Sequence, residues 1–309
     1  MPQPKRYAAP GPSAKWRIVR PAAFLTGWCM EEIRAYYEQD REHDRLTRGL
    51  GLVEFPRTLE ILGRVLPQPP AVVVDVGGGT GVYARELLRQ GYAVHLLDAM
   101  PTHVRRVQAD ETLSALSSVT LGDARQLPYP DASADAALLL GPLYHLQDPA
   151  DRAAALREAH RVLKPGGIIV TAMIPRAAMI LGDFSNHLPD EKYCRPMREQ
   201  TYLTGRQDNP ELRRGYFTAA YFHQPEELEQ ELHTAGFRDV GLYAVEGPAA
   251  IIPDLNAVMS DPAKRGGVLA AARLTEQDRT LMGFSPHTLA VGRKPVRPDS
   301  AGLLLGEGP

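Results

Sequence analysis

Residues 72–81 read Val-Val-Val-Asp-Val-Gly-Gly-Gly-Thr-Gly, and this stretch decides the fold class. The apolar run from Ala71 to Val74 is rich in β-branched residues, which is typical of a strand buried on both faces. Glycines follow it, and a helical stretch begins at Val82. Glycine suits a sharp turn or a close approach of ligand to backbone, and the helix start offers N–H groups with a partial positive charge. The sequence therefore predicts a strand, a glycine loop and a helix arranged around a nucleotide-like ligand.

Strands and helices alternate along the rest of the chain. Short apolar runs and amphipathic stretches predict strands at 93–97, 119–121, 134–140, 168–173, 240–245 and 288–291, and helices at 82–90, 102–117, 148–163 and 225–234. Such alternation is typical of an α/β fold with helices on both faces of a sheet. We therefore expect a doubly wound, mostly parallel seven-stranded sheet, with N-terminal helices, helical inserts and a ligand site at the carboxyl ends of the strands.

Composition along the chain indicates four segments. Proline and glycine at both ends predict flexible tails at 1–20 and 295–309, and residues 21–70 are expected to form an N-terminal helical lid, with helices at 31–48 and 55–65. The main domain is expected at 71–294. Inserts at about 175–222 and 248–284 interrupt its alternation, and we expect both of them to supply walls of a substrate pocket.

Overall composition narrows the functional class. The chain has 309 residues, with 35 Lys+Arg against 37 Asp+Glu and a net charge of -2, which argues against an obligate nucleic-acid coat protein. Its two cysteines, Cys29 and Cys194, cannot build a disulfide framework. No apolar run reaches the roughly 18 residues that a membrane span needs. We expect a soluble, cytoplasmic protein that does not enter a membrane.

The spacing of the glycines separates the ligands that such a loop could bind. A phosphate-binding P-loop ends in Gly-Lys-Ser/Thr, which this loop lacks. The usual dinucleotide fingerprint would place its third glycine at Val82, but Gly81 comes one residue earlier. Asp75 precedes the glycines, where it would repel a pyrophosphate. An acid at this position suits a ligand that presents an amino group.

An acid followed by Gly-x-Gly-x-Gly, here Asp75, Gly77, Gly79 and Gly81, resembles the first motif of the class I S-adenosylmethionine-dependent methyltransferases. The resemblance covers roughly residues 71–175 and implies that S-adenosylmethionine is the cofactor. It further implies that Asp98, at the end of the second strand, accepts both ribose hydroxyls.

After the third strand, the resemblance implies that Asp123 meets the adenine amino group and that the backbone N–H of Ala124 meets a ring nitrogen. The segment that begins at Leu140 follows the fourth strand, where the family brings the acceptor and the methyl group together. Residues 161–167 resemble the turn before the fifth strand of the family.

Several side chains are candidates for the chemistry. His145 is the leading candidate for a general base, and Tyr144 for a residue that flanks the sulfonium, although each could instead only pack. Resembling enzymes use a tyrosine and an arginine of the N-terminal helices on the carboxylate of the cofactor. The candidates for these roles are Tyr36, Tyr37, Arg45 and Arg57, and further residues that could reach an acceptor are His187, Tyr202 and His223. The histidines show no metal-ligand spacing, so we predict no metal site.

The sequence of Leu140–Tyr144 lacks the motifs of enzymes that act on several classes of acceptor. It lacks the Asn/Asp-Pro-Pro-Tyr/Phe of enzymes that methylate the exocyclic amine of adenine or the side-chain amide of glutamine, and it lacks the Pro-Cys of cytosine-C5 enzymes. We therefore expect methyl transfer to a small-molecule acceptor, and oxygen, nitrogen and carbon acceptors all remain open. Two alternatives also remain: a tRNA methyltransferase that binds through a basic N-terminal tail, and a non-catalytic regulatory protein that binds the cofactor.

Overall fold

A computed structural model of the chain describes residues 28–38, 44–185, 191–213 and 216–296. Its strands are β1 (Val72–Val76), β2 (Ala93–Asp98), β3 (Ser118–Leu121), β4 (Ala134–Leu139), β5 (Leu163–Met173), β6 (Arg206–Gln207), β7 (Ala220–Tyr221), β8 (Arg238–Ala244) and β9 (Thr288–Arg293). Seven of them form one sheet in the order β3-β2-β1-β4-β5-β9-β8, in which β1 to β5 are parallel and β9 is antiparallel to both neighbours. The predicted fold class is confirmed.

The strand order reverses at β1, which pairs with β2 on one side and with β4 on the other. The connection after β1 leads to β2 on one side, and the connection after β3 returns to β4 on the other side. A crevice therefore opens beyond the carboxyl end of β1. The ends of β1 to β4 face this same crevice because the strands are parallel. The fold thus brings the glycine loop, Asp98, Asp123 and Leu140 to one edge of the sheet.

Helices cover both faces of the sheet. They are α1 (Trp28–Glu38), α2 (Gly51–Val65), α3 (Val82–Arg89), α4 (Pro101–Ala109), α5 (Pro142–His145), α6 (Pro149–Val162), α7 (Arg176–Ser185), α8 (Glu191–Thr204), α9 (Pro225–Thr234), α10 (Leu255–Ser260) and α11 (Pro262–Leu274). Val74 packs in a core with Leu156 of α6 and Leu228 of α9, whereas its neighbour Val73 packs with Ile61 of α2 on the other face. Alternate residues of this buried strand thus pack in two separate hydrophobic cores, one on each face of the sheet.

Local sequence signals set several element ends as predicted. The Asp148 side chain accepts the N–H of Ala150 at 2.8 Å and caps α6, which has Pro149 in its first turn. Gly91, with φ +92°, follows α3.

Two predicted helices have other limits in the structure. The helix predicted at 102–117 ends at Ala109, because the Asp110 carboxylate accepts the N–H and hydroxyl of Thr112 and starts a separate 3-10 turn at 111–113. The helix predicted at 55–65 begins earlier, at Gly51. A Cβ on Gly51 would lie 2.1 Å from the Arg45 carbonyl oxygen, so glycine allows the preceding 3-10 turn to pack against α2.

The N-terminal helix predicted at 31–48 also differs, since α1 ends at Glu38 and residues 45–47 form a 3-10 turn. The first insert contains α7, α8 and an unpredicted pair of short antiparallel strands, β6 and β7. The second insert contains α10 and α11. The predicted tail at 1–20 and most of the tail at 295–309 lie outside the described residues, and the domain limits stay predictions. Within the described ranges, no helix combines the length and apolar character that crossing a membrane requires.

A buried ion-pair network joins α2 to the second insert. The Arg57 side chain is 0% exposed and binds Glu60 at 2.5 Å and also Glu276. Arg64 binds Glu276 at 2.7 Å, and Arg273 binds Glu60 from the solvent side. Removing one partner of a buried ion pair leaves an uncompensated charge, which makes Arg57 a main anchor of α2.

We expect Arg57→Ala to lower the free energy of unfolding by about 3–5 kcal/mol, because the partner carboxylates lose a buried cation. Urea denaturation measures this change. Arg273→Ala is the matched control, since it removes an exposed arginine from the same Glu60 and should have a much smaller effect. Equal losses in the two variants would contradict a structural role for the buried network.

Candidate active site at the carboxyl edge of the sheet

The carboxyl ends of β1 to β4 open into one cavity of about 710 Å³, which α1 and residues near β7 cover. Most of the predicted cofactor and catalytic residues line this cavity, whereas Gly81 and Arg57 do not. The lining members of that set include Tyr37, Arg45, Asp75, Gly77, Gly79, Asp98, Asp123, Ala124, Leu140, Tyr144 and His145. The topology thus brings together residues that span more than a third of the sequence.

Two of the glycines in the loop, Gly79 and Gly81, have different roles. Gly79 has φ +58° and nothing lies within 4 Å of the position that a Cβ would take, so this residue faces open space in the cavity. Gly81 has φ +79° and starts α3, and a Cβ there would lie 2.7 Å from Leu113 Cδ1. Gly81 therefore allows helix packing and is not in the cavity wall, contrary to its predicted contact with the cofactor.

Asp75 is the buried carboxylate beneath the loop. Its side chain is 1% exposed, and its Oδ2 has no hydrogen-bond partner among the described residues. Burial, together with the charge of Asp98, raises the pKa of Asp75 to about 7. An ammonium group would supply the missing partner and favour the ionised carboxylate. The residue therefore fits the α-amino group of S-adenosylmethionine.

Asp98 ties the loop to the end of β2. Its Oδ2 accepts the N–H of Gly79 at 2.8 Å, and its Oδ1 accepts the N–H of Met100 at 2.7 Å. His103 Nδ1, from the first turns of α4, lies 3.1 Å from the same Oδ1. These contacts orient the carboxylate at the cavity wall. His103 was not among the predicted residues, although its place in the helix after Asp98 is a signal that could have identified it.

Asp123 is held by its neighbour Arg125. The guanidinium Nη2 lies 2.6 Å from Asp123 Oδ2, and the backbone N–H of Arg125 donates to Oδ1 at 2.8 Å. Arg125 also binds Asp151 at 2.8 Å. The carboxylate is thus fixed at the end of β3, beside Ala124, where the sequence predicts the adenine ring.

An aromatic chamber, formed by Tyr37, Tyr144, His145 and Phe217, lies over the end of β4. The Tyr37 hydroxyl is 2.8 Å from His145 Nε2, and His145 Nδ1 is 3.4 Å from the carbonyl oxygen of Ala219. The rings of Tyr144 and Phe217 flank His145 at centroid distances of 4.9 and 5.4 Å. The chamber joins α1, α5 and the segment before β7.

The electrostatics of the chamber keep His145 neutral, because burial lowers its pKa to about 4. We assign its proton to Nδ1, which faces a carbonyl acceptor, so Nε2 accepts a hydrogen bond from the Tyr37 hydroxyl. The predicted base therefore reaches a substrate proton only through Tyr37.

The two arginines predicted for the carboxylate of the cofactor differ in position. Arg45 lines the cavity and is paired with the buried Glu54 behind it. Arg57 belongs to the buried network of α2 and does not reach the cavity. Tyr36 lines the cavity and packs edge-on against Tyr37 and Phe217.

The remaining predicted residues lie elsewhere. His187 falls outside the described residues. His223 is 0% exposed and lies 3.4 Å from Glu231, and Tyr202 is 51% exposed on α8. Neither side chain lines the cavity. Among the described residues, those of the second insert also do not line it, so the expectation that this insert supplies a wall was wrong.

One group of potential metal ligands occurs in the described ranges: Glu54, Glu246 and His287, whose ligand atoms lie within 4.8 Å of one another. Arg45 pairs with Glu54, and His287 pairs with Glu246 at 2.7 Å. Each carboxylate thus has a cationic or hydrogen-bonding partner. The predicted lack of a metal site stays a prediction.

Gly79→Arg should abolish binding of S-adenosylhomocysteine while the fold persists, because the new side chain would project into the cavity from a position with free space at Cβ. The left-handed backbone adds only about 1–2 kcal/mol of strain. Calorimetry measures the affinity and circular dichroism the fold. Gly266→Arg, on exposed α11 with equally free space, is the matched control. Normal affinity in Gly79→Arg would contradict the assignment of the loop.

Cofactor affinity should fall by about tenfold between pH 8 and pH 6. A cationic amine pairs only with ionised Asp75, which becomes protonated below its pKa of about 7. Binding should release a proton, so affinity rises as the pH rises through 7. Calorimetry in buffers of different ionisation enthalpy measures both quantities. Asp75→Asn should bind weakly and lose the pH dependence, and a variant that keeps it would show that another group titrates.

The chain is similar in sequence to known methyltransferases. Residues 74–171 match a protein family described as a methyltransferase domain. The chain is 35% identical over 117 residues to a ubiquinone/menaquinone biosynthesis C-methyltransferase of Caulobacter sp. (strain K31), a match that covers 35% of this chain and 45% of that protein. It is 29% identical over 181 residues to a malonyl-[acyl-carrier protein] O-methyltransferase of Serratia marcescens, covering 58% and 63%. The chain spans about half the length of the curated relatives that it matches first.

Among solved structures, the chain is similar to an S-adenosylmethionine-dependent methyltransferase of Thermotoga maritima described as a possible histamine N-methyltransferase. The TM-score is 0.52 at 17% identity, over 86% of this chain and 99% of that chain. At this identity the likeness shows the fold. The family match identifies residues 74–171 as a class I S-adenosylmethionine-dependent methyltransferase domain with S-adenosylmethionine as its cofactor, and the strand order and the shared fold agree with it.

Proposed function

We propose that this protein transfers the methyl group of S-adenosylmethionine to a small-molecule acceptor held in the aromatic chamber. The observation that carries the proposal is the continuity of one cavity from Asp75, Asp98 and Asp123 to Tyr37 and His145. The carboxylates offer acceptors to the amino, hydroxyl and adenine N–H groups of a cofactor. The chamber beyond β4 leaves a protected space beside its sulfonium.

The cofactor supplies the reactive methyl group, and the protein supplies position and a controlled environment. Methyl transfer is an in-line displacement, in which the acceptor atom attacks the methyl carbon and the sulfur leaves with its electron pair. Proximity and alignment can account for about 7–11 kcal/mol of barrier reduction in such a step. The aromatic walls exclude water from the acceptor and favour a flat or apolar molecule.

The Tyr37–His145 hydrogen bond joins α1 to the segment after β4. A histidine whose pKa is about 4 is a weak base near neutral pH. We therefore assign to His145 mainly the positioning of Tyr37, whose hydroxyl faces the chamber. An acceptor that arrives protonated would pass its proton to the Tyr37 oxygen while the Tyr37 proton moves to Nε2.

The relatives support a small molecule as the acceptor. One relative is named as a C-methyltransferase of ubiquinone/menaquinone biosynthesis and another as a malonyl-[acyl-carrier protein] O-methyltransferase. The segment after β4, with Leu140 and Pro142, lacks the motifs of amine and cytosine-C5 methyltransferases of nucleic acids. Both observations favour a metabolite over RNA.

A transfer assay with S-adenosylmethionine labelled in its methyl group tests the proposal directly. A small-molecule extract and total RNA are offered as acceptors in parallel, and cofactor affinity is measured by calorimetry. We expect label in the small-molecule fraction. Label in RNA would replace the proposed acceptor class with RNA, and cofactor binding without label in either fraction would indicate a non-catalytic binding protein.

We expect Tyr37→Phe to speed hydrogen exchange in α1 by about 2- to 10-fold, because a hydrogen bond of about 0.5–1.5 kcal/mol that closes the helix over the cavity is lost. Exchange is followed by mass spectrometry with S-adenosylhomocysteine present. His145→Ala should have a similar effect, and combining the two changes should add little. Tyr202→Phe on α8 is the control. Additive effects would contradict the proposed closing pair.

A further inference from the structure

His287 lies at the carboxyl edge of the sheet although it directly precedes β9. Because β9 runs antiparallel to β5, with Thr288 opposite Met173, the start of β9 lies beside the carboxyl end of β5. The side chain of His287 lines the same cavity as the glycine loop. Neither the sequence motifs nor the methyl-transfer scheme uses this residue.

A buried carboxylate holds the His287 ring in one orientation. Glu246 is 0% exposed, and its Oε1 accepts a hydrogen bond from His287 Nδ1 at 2.7 Å. Its Oε2 accepts the backbone N–H of His287 at 2.9 Å and the hydroxyl of Ser285 at 2.8 Å. Nε2 of His287 has no hydrogen-bond partner within the described part of the chain. The Nε2 atom of this fixed ring can therefore interact with a ligand in the cavity.

Two neighbouring carboxylates favour the protonated form of this ring. Burial alone would lower the pKa of His287, but the negative charges of Glu54 and Glu246 outweigh burial and raise it. Glu54 Oε2 lies 3.5 Å from His287 Nδ1 and also binds Arg45. Two carboxylates and two basic side chains thus form one cluster. Of these four residues, only the basic pair, Arg45 and His287, lines the cavity.

The basic pair, Arg45 and His287, differs in charge from the carboxylates at the ends of β1 to β3, and Arg106 is a further basic residue of the cavity lining. Asp75, Asp98 and Asp123 present acceptors at the ends of β1, β2 and β3 and would repel an anion. Arg125 is committed to Asp123 and Asp151. Arg45 and His287 share the carboxylate of Glu54 behind them, so a ligand oxyanion that meets one cation is close to the other.

We propose that His287 is an oxyanion-binding residue of this cavity, which donates Nε2–H to a carboxylate group that Arg45 also attracts. The inference rests on the proposed cofactor binding. The first source of that carboxylate is the amino-acid end of S-adenosylmethionine, because Arg45 is the arginine expected there. A carboxylate or phosphate on the acceptor is the second source of the same chemistry.

The test compares S-adenosylmethionine with decarboxylated S-adenosylmethionine, which differs only by the carboxylate. Calorimetry should show that His287→Gln binds S-adenosylmethionine about 10- to 100-fold more weakly than the wild type, the loss expected for a charged hydrogen bond. Affinity for the decarboxylated compound should be the same in both proteins, which also shows that the variant is folded. His233→Gln, on exposed α9 outside the cavity, is the matched control.

A second arm probes the acceptor as the source. Inorganic phosphate is titrated into wild type and His287→Gln, each saturated with S-adenosylmethionine. Phosphate binding that only the wild type shows, with equal cofactor affinities, would support the oxyanion role and assign it to the acceptor. If the variant matches the wild type in both arms, the inference is overturned. If the wild type does not bind S-adenosylmethionine, the proposed function fails first.

Discussion

Two carboxylates, Asp75 near the end of β1 and Asp98 at the end of β2, influence each other electrostatically beside the glycine loop. Asp98 accepts the N–H of Gly79 and thereby fixes the loop, while its charge contributes to the raised pKa of the buried Asp75. Bringing two buried anions together is costly unless donors or cations approach them. A ligand that carries hydroxyl and ammonium groups would therefore stabilise the two carboxylates, and S-adenosylmethionine has both groups.

The cavity has two parts of different origin. The parallel edge of β1 to β3 contributes acidic groups and the glycine backbone, which suit the cofactor. The aromatic chamber and the basic pair, Arg45 and His287, come from elements outside that edge: α1, the 3-10 turn at 45–47, α5, the segment before β7 and the residue that precedes β9. Acceptor choice should depend on these added elements, because the fold common to the family does not determine them.

Sequence reasoning was most successful where the physical signal is local. The central elements were predicted from a β-branched run before a glycine loop and from the caps at Asp148 and Gly91. Because the strands pair in parallel, their carboxyl ends lie at one edge of the sheet. Sequence reasoning was less successful where contacts between side chains and backbone determine the end of an element. The helix predicted at 102–117 stops at Asp110 because a side chain competes for backbone N–H groups.

Missed site residues have a common cause. Phe217, Glu246 and His287 are far apart in the sequence and meet only through packing, so no spacing rule connects them. His287 carried one usable signal, since an antiparallel last strand begins at the edge where the parallel strands end. Similarly, Gly81 fits the family motif by spacing, but its contact with Leu113 shows a packing role.

The assignment of the cofactor depends on the loop between Val76 and Val82, which we expect to bind the amino-acid end of an adenosyl sulfonium. A crystal structure of the complex with S-adenosylhomocysteine would locate this end of the ligand. We expect the homocysteine nitrogen to lie within hydrogen-bond distance of Asp75 or the loop backbone, with the ribose hydroxyls at Asp98. A ligand bound with its amino-acid end away from this loop, or a pyrophosphate compound that binds there in its place, would contradict it.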